Sequence, residues 1–206
     1  MEQWYLYKKK ADFTKIGEKF QIDPVIARLI RNRDVIGDEE IHKYLYGNLS
    51  DISDPFLMKG VREGVDIIRE KIRDRKTIRI ISDYDVDGVV SNYILWKAIY
   101  DLGGMIDFQI PDRMKDGYGI NENIIEKAVE DQIDTILTCD NGIAASEAIR
   151  FGKEHGLTMI ITDHHDVPFI LNEDGSKEEI LPPADVVINP KQKECKYPYP
   201  LLCGAG

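Results

Sequence analysis

From Val61 onward the apolar positions switch between two spacings. In "VREGVDIIREKIRDRK" Val61, Val65, Ile68 and Ile72 recur at helical spacing, with charged residues between them. "TIRIIS" (77–82) is then a β-branched run of strand length. The alternation continues with a helix, "GVVSNYILWKAIYDLGG", closed by Gly103 and Gly104, and a strand, "MIDFQIP", ended by Pro111. Next come a helix capped by Asn121, "NENIIEKAVEDQ", the strand "DTILTC", and a helix ending at Gly156, "AASEAIRFGKEHG". "LTMIIT" and "ADVVINP" complete the set as strands. Strands separated by helices of about a dozen residues are βαβ units. The expected fold is α/β, a parallel, doubly wound sheet with helices on both faces. "LNEDGSKEEILPP" has neither spacing and reads as a surface loop or small hairpin, and no internal repeat is present.

Residues 1–57 have another texture, helical and irregular. "DPVIARLIRNR" offers Asp23 as N-cap and Pro24 at the first helical position. "GDEEIHKYLYG" offers Asp38 as cap, an acidic first turn and Gly47 as stop, and "SDISDPF" punctuates the chain. The sequence therefore divides into a helical N-terminal segment, 1–57, and an α/β domain, 58–206.

Composition adds limits. At 206 residues, with 43% hydrophobic and 31% charged positions, the chain is ordinary for a globular protein. No apolar run has the length to span a membrane, and "MEQWYLYKKK" lacks a signal-peptide core, so a cytoplasmic location is expected. Cys139, Cys195 and Cys203 form neither a disulfide framework nor a metal knuckle. The net charge of −10 argues against a protein that coats nucleic acid. It does not exclude an enzyme acting on phosphates, because metal-binding carboxylates count as negative in that sum.

The chemistry lies directly after the strands. Asp83, Asp85 and Asp87 follow "TIRIIS"; Asp112 and Arg113 follow "DFQIP"; Asp140, Asn141 and Gly142 follow "DTILTC"; Asp163, His164 and His165 follow "LTMIIT". In an open parallel sheet, ligands bind outside the carboxyl ends of the strands. So many carboxylates and imidazoles at one edge repel one another unless cations neutralise them. Mixed Asp/His donors suit Mn²⁺ better than Ca²⁺, and they are too many for one structural zinc. Two ions about 3.5–4 Å apart, sharing a bridging carboxylate, would use the set. "SDYDVDG" alone resembles a calcium loop but lacks its closing acidic residue, and "DNG" alone is a turn. Asp140, arriving on its own strand, is expected between the other two donor groups.

In that order, "SDYDVDG", "TCDNG" and "TDHH" resemble the DHH phosphoesterase superfamily, and the chain is most similar to its RecJ branch of single-strand-specific 5′ exonucleases. "DPFLMKGV", "IPDRMKDGYGIN", "LPPADVVINP" and "YPYPLLCGAG" extend the resemblance from about residue 20 to the last residue. It implies a phosphodiesterase with two Mn²⁺ (or Mg²⁺) ions, acting on single-stranded DNA in repair and recombination. Asp85 and Asp87 would each bind one ion, Asp140 would bridge both, and His164 would be a ligand. His165 would bind metal or contact the scissile phosphate, supported by Asp163. Arg113 and the Gly117-Tyr118-Gly119 turn would lie near substrate. Ile81 stands where many members carry a histidine, and Asp83 is the carboxylate that would compensate. After "CGAG" the family continues into a further metal-ligand aspartate and a C-terminal substrate-binding domain. Other members cleave short oligonucleotides, cyclic dinucleotides or pyrophosphate. A catalytically silent binding module is the reading from another class.

Overall fold

The computed structural model describes Gln3, residues 9–114, Gly117 and residues 119–206. They form two compact units, Met1–Ile52 and Ser53–Gly206.

The first unit holds α1 (Phe13–Phe20), α2 (Pro24–Asn32) and α3 (Asp38–Tyr46). Asp12 and Asp23 cap α1 and α2 by accepting the amides of Lys15 and Val25, at 3.0 and 2.7 Å. The cap of α3 is Gly37 rather than Asp38, which is the first helical residue. Gly37 has φ +95°, and any Cβ there would meet the Glu40 carboxylate. Phe20, Ile30 and Ile41 form the buried centre of this unit.

The second unit begins ahead of the residue-57 division read from sequence, because a 3₁₀ turn, Pro55–Leu57, packs against α4 (Val61–Arg73). The Arg62 guanidinium stacks on Phe56, 4.4 Å from its ring centre. The strands β1 (Thr77–Ser82), β2 (Met105–Gln109), β3 (Thr135–Cys139) and β4 (Thr158–Thr162) alternate with α5 (Val86–Asp101), α6 (Glu122–Glu130) and α7 (Ser146–Glu154). A small antiparallel hairpin follows, β5 (Phe169–Leu171) and β6 (Lys177–Glu179), and then β7 (Val186–Ile188). The hairpin is the "LNEDGSKEEILPP" stretch and its flank.

The five-stranded sheet is parallel throughout, in the order β2-β1-β3-β4-β7. Both its faces are covered, so its strands are apolar on both sides. Ile78, Ile80, Leu137 and Ile160 face Ile67, Ile68 and Ile72 of α4 and Leu95, Trp96 and Ile99 of α5. Ile136, Met159 and Ile161 face Ile124, Ile125 and Ala128 of α6 and Ile149 of α7. Each fully buried isoleucine stabilises the fold by about 1.5–3 kcal/mol relative to exposure. The one buried charged residue inside these strands is Arg79. It donates Nε and Nη2 to the two oxygens of Asp107 on β2, at 2.9 and 2.7 Å, and Nη1 to Asp131 beyond α6, at 2.8 Å. A bidentate fork of this kind keeps a buried guanidinium satisfied.

The order reverses direction between β1 and β3. In a doubly wound sheet such a switch point opens a crevice at the strands' carboxyl ends.

Candidate metal centre

The crevice is bounded by the β1–α5 turn on one side and by Asp140 on the other. Gly88 makes the β1–α5 turn possible: a Cβ there would lie 2.4 Å from the Asp83 carbonyl oxygen, against backbone that cannot step aside. Asp83 is buried and accepts the Tyr84 amide at 2.7 Å. Asp85 caps α5, accepting the Gly88 amide at 3.0 Å, so this helix starts at Val86 rather than at Gly88. Asp87 follows in the first helical turn.

Asp140 directly follows β3, between the ends of β1 and β4, as the strand order expected from sequence requires. It adopts the left-handed region, φ +59°, which aspartate tolerates, and is 3% exposed. His164 Nε2 lies within hydrogen-bond distance of Asp140 Oδ1, at 2.8 Å, and 3.4 Å from Asp87 Oδ2. Burial, and then the Asp87 charge, push the Asp140 carboxyl up to about 6, against the opposing pull of His164.

Asp163 builds the next corner. Its Oδ2 accepts the Ile143 amide at 2.9 Å; its Oδ1 accepts the amides of His164 and His165, at 2.7 and 3.1 Å, and pairs with His165 Nδ1 at 2.8 Å. A carboxylate so occupied orients the histidines and has little left to offer a metal. The two imidazoles lie 4.5 Å apart, tilted by 35°. Asn189, fully buried just after β7, donates to the His165 carbonyl oxygen at 2.9 Å and ties the edge of the sheet to the paired histidines.

Two sets of potential ligand atoms result, each within 4.8 Å of one another: Asp140, His164 and His165, and Asp83, Asp85 and Asp140. Asp140 is in both. Asp87 is in neither. Its Oδ2 and Oδ1 accept the amides of Gly204 and Ala205, at 2.6 and 2.8 Å. Burial raises the Asp87 carboxyl, but the Ala205 and Gly204 amides, the Cys203 thiol and His164 outweigh it and hold it below the usual carboxylate range.

A cleft of about 410 Å³ opens beside the histidines, lined by Gly119, Ile120, Asn141, Gly142, Asp163 and His165 among others. Asn141 Oδ1 and Thr138 Oγ1 are buried there or close by with no hydrogen-bond partner among the described residues. Arg113 lies over the Tyr84 ring at 5.6 Å, which brings its charge to the end of β1. Gly117 is outside the cleft lining, with nothing within 4 Å of where a Cβ would be. Tyr118 lies outside the described residues.

Thus Asp83, Asp85, Asp87, Asp140, Asp163, His164 and His165 gather at one edge, with Arg113 and Gly119 close by. Sequence reasoning missed Asn189, whose only signal is an asparagine-proline pair after a strand, and the amides of Gly204 and Ala205, which have no side-chain signal at all.

A profile described as the DHH family, N-terminal domain, matches residues 77–206. The single-stranded-DNA-specific exonuclease RecJ of Bacillus subtilis is 37% identical over 205 residues, 99% of this chain and 25% of that one. A crystal structure of exonuclease RecJ bound to manganese is similar with a TM-score of 0.56 and 30% identity, over 68% of this chain and 35% of that one. RecJ from Thermus thermophilus, in complex with Mn²⁺, shares the fold with a TM-score of 0.63 at 24% identity, over 94% of this chain and 25% of that one. The chain spans between 16% and 33% of the length of the curated relatives it matches. Among the described residues, no helix is long and apolar enough to cross a membrane.

Proposed function

This chain belongs to the DHH family, and from that premise we propose that its Ser53–Gly206 unit is the metal-dependent phosphodiesterase portion of a RecJ-like exonuclease, digesting single-stranded DNA from the 5′ end in repair and recombination. The observation that carries this reading is Asp140, one buried carboxylate belonging to both sets of ligand atoms.

The donors fit a pair of Mn²⁺ or Mg²⁺ ions. They are carboxylate oxygens and imidazole nitrogens with no thiol in either set, around a carboxyl whose charge is destabilised until a cation comes near. Asp83, Asp85 and Asp140 would hold one ion; Asp140, His164 and His165 would hold the other, with Asp87 beside them. When bound, such a pair supplies charge stabilisation at phosphoryl oxygens and an acidified water. With Asp163 Oδ1 2.8 Å from His165 Nδ1, a proton held between them would leave the Nε2 lone pair as the ligand. Arg113, over Tyr84 at the end of β1, offers a cation to a phosphate, and Gly119 lines the cleft with a positive φ of +73°.

The shared name of the curated relatives supports single-stranded DNA over short oligonucleotides, cyclic dinucleotides or pyrophosphate. Their greater length supports a further substrate-gripping portion in the whole protein. A DNA substrate in turn supports a cytoplasmic location.

The test has two arms. Mn²⁺ at a hundred times its dissociation constant should stabilise this chain by about 2.7 kcal/mol over its state in chelator. The longer polypeptide should then digest a single strand from its 5′ end and leave duplex and dinucleotide intact. An unchanged thermal midpoint at millimolar Mn²⁺ would sink the reading. Stabilisation without digestion would make the unit a binding module.

A further inference from the structure

Residues 202–206 meet the metal centre mainly with their backbone. Both oxygens of Asp87 accept main-chain donors, Gly204 N–H at 2.6 Å and Ala205 N–H at 2.8 Å, and the Cys203 thiol adds a third hydrogen bond. Gly204 sits where no side chain fits: a Cβ there would lie 2.8 Å from Ser91 Oγ, 2.9 Å from Asp140 Cβ and 3.2 Å from Asp87 Oδ2. Two of these three neighbours belong to the carboxylates that face each other across the crevice. Leu202, Cys203, Gly204 and Gly206 also wall a small cavity of about 90 Å³ shared with Asp140 and His164.

We propose that the Leu202–Gly206 turn is a positioning element of the metal centre, its Gly204 and Ala205 amides fixing the Asp87 carboxylate against His164. An ionised carboxylate has about four lone-pair sites, so two amides and the Cys203 thiol leave Asp87 one with which to accept a cation. The amides carry no net charge, so they fix Asp87 without competing with the ions for the remaining carboxylates. Orientation of this kind is worth about 10–100-fold in metal affinity where partners of metal ligands have been removed. Gly204 is the residue through which the turn approaches closely enough to do it. The inference rests on the metal-centre reading above for its affinity arm, but not for its hydrogen-bonding arm.

The experiment uses the 206-residue chain and Mn²⁺ alone. Gly204→Ala should place a methyl between Asp87 and Asp140 and weaken Mn²⁺ binding, measured by calorimetry, by about 10–100-fold. Its metal-free thermal midpoint, read alongside, separates a lost fold from a lost site. In chelator, Asp87→Asn should speed hydrogen exchange at the 204 and 205 amides by about tenfold, because Asn offers one acceptor where the carboxylate offers two. Unchanged Mn²⁺ affinity in folded Gly204→Ala, or unchanged exchange in Asp87→Asn, overturns the proposal. If Gly204→Ala does not fold, the exchange arm decides alone. If the unsubstituted chain takes up no Mn²⁺, the metal reading fails, and faster exchange in Asp87→Asn still supports the clamp.

Discussion

Replacing Asp140 by Asn should make the metal-free protein more stable at neutral pH and leave it unable to gain from Mn²⁺. The carboxyl is 3% exposed, and burial together with Asp87 raises it from 3.8 to about 6. At about 1.4 kcal/mol per pH unit, keeping it ionised in the fold costs about 3 kcal/mol at pH 7.5. Asn matches its shape, tolerates φ +59° and still accepts from His164, though a neutral acceptor forfeits about 1 kcal/mol of that bond. The net gain is about 2 kcal/mol, or about 4–8 °C in midpoint for a chain of this size. The sign follows from the raised pKa. Stability from a protonated Asp140 is complete below the unfolded value of 3.8 and is lost as pH rises through about 6. The advantage of Asn should therefore be largest at pH 7.5 and vanish near pH 4. Thermal melts in chelator across that range measure it, and melts with millimolar Mn²⁺ should reverse the ranking. A gap between the two proteins that does not change with pH, or a less stable Asp140→Asn at pH 7.5, would refute the argument.

Three further outcomes are expected. Gly88→Ala should destabilise the fold by at least about 2 kcal/mol, read by chemical denaturation, since its Cβ would strike the Asp83 carbonyl at 2.4 Å. Arg79→Ala should cost about 2–4 kcal/mol in the same assay, with metal binding preserved in the folded fraction, because the fork joins mid-strand Asp107 and Asp131 at the end of α6, neither of which belongs to the ligand sets at the carboxyl edge. In thiol labelling of the native chain Cys203 should react and Cys139 should not, for Cys203 is exposed while burial pushes the Cys139 thiol up to about 12; equal reaction rates would contradict the packing around β3.

The parts of this protein that sequence exposes are those with a period or a punctuation mark. Val61, Val65, Ile68 and Ile72 announce α4, and Asn121 announces the start of α6, accepting the Ile124 amide at 3.1 Å. Acidic residues after apolar strands located the crevice, because nothing but function or a turn puts charge there. Pairwise geometry was not readable. Arg79 sits in a strand that should be apolar, and only the fold reveals that Asp107 and Asp131 converge on it from separate elements. Gly204 and Ala205 act through amides that every residue but proline possesses, so their sequence carries no mark of the contact with Asp87. Gly37 rather than Asp38 caps α3 because a positive φ outranked a side-chain acceptor at that position.

The β5–β6 hairpin has a practical consequence. Ile180 N–H donates to the Pro168 carbonyl at 2.7 Å and closes its base, while its tip turns through Asn172 and Ser176. On either side the chain is fastened, Asp163 N–H to the Ile188 carbonyl at 3.0 Å and Asn189 to the His165 carbonyl at 2.9 Å. Whatever hangs beyond that closed base is mechanically isolated from the histidines. Doubling a loop costs only about 0.6 kcal/mol in closure entropy. The Glu173–Gly175 tip is thus a port: an epitope, a dye or a tether to a surface can be spliced in there while the metal centre keeps its shape, and lineages can lengthen or delete it with little penalty.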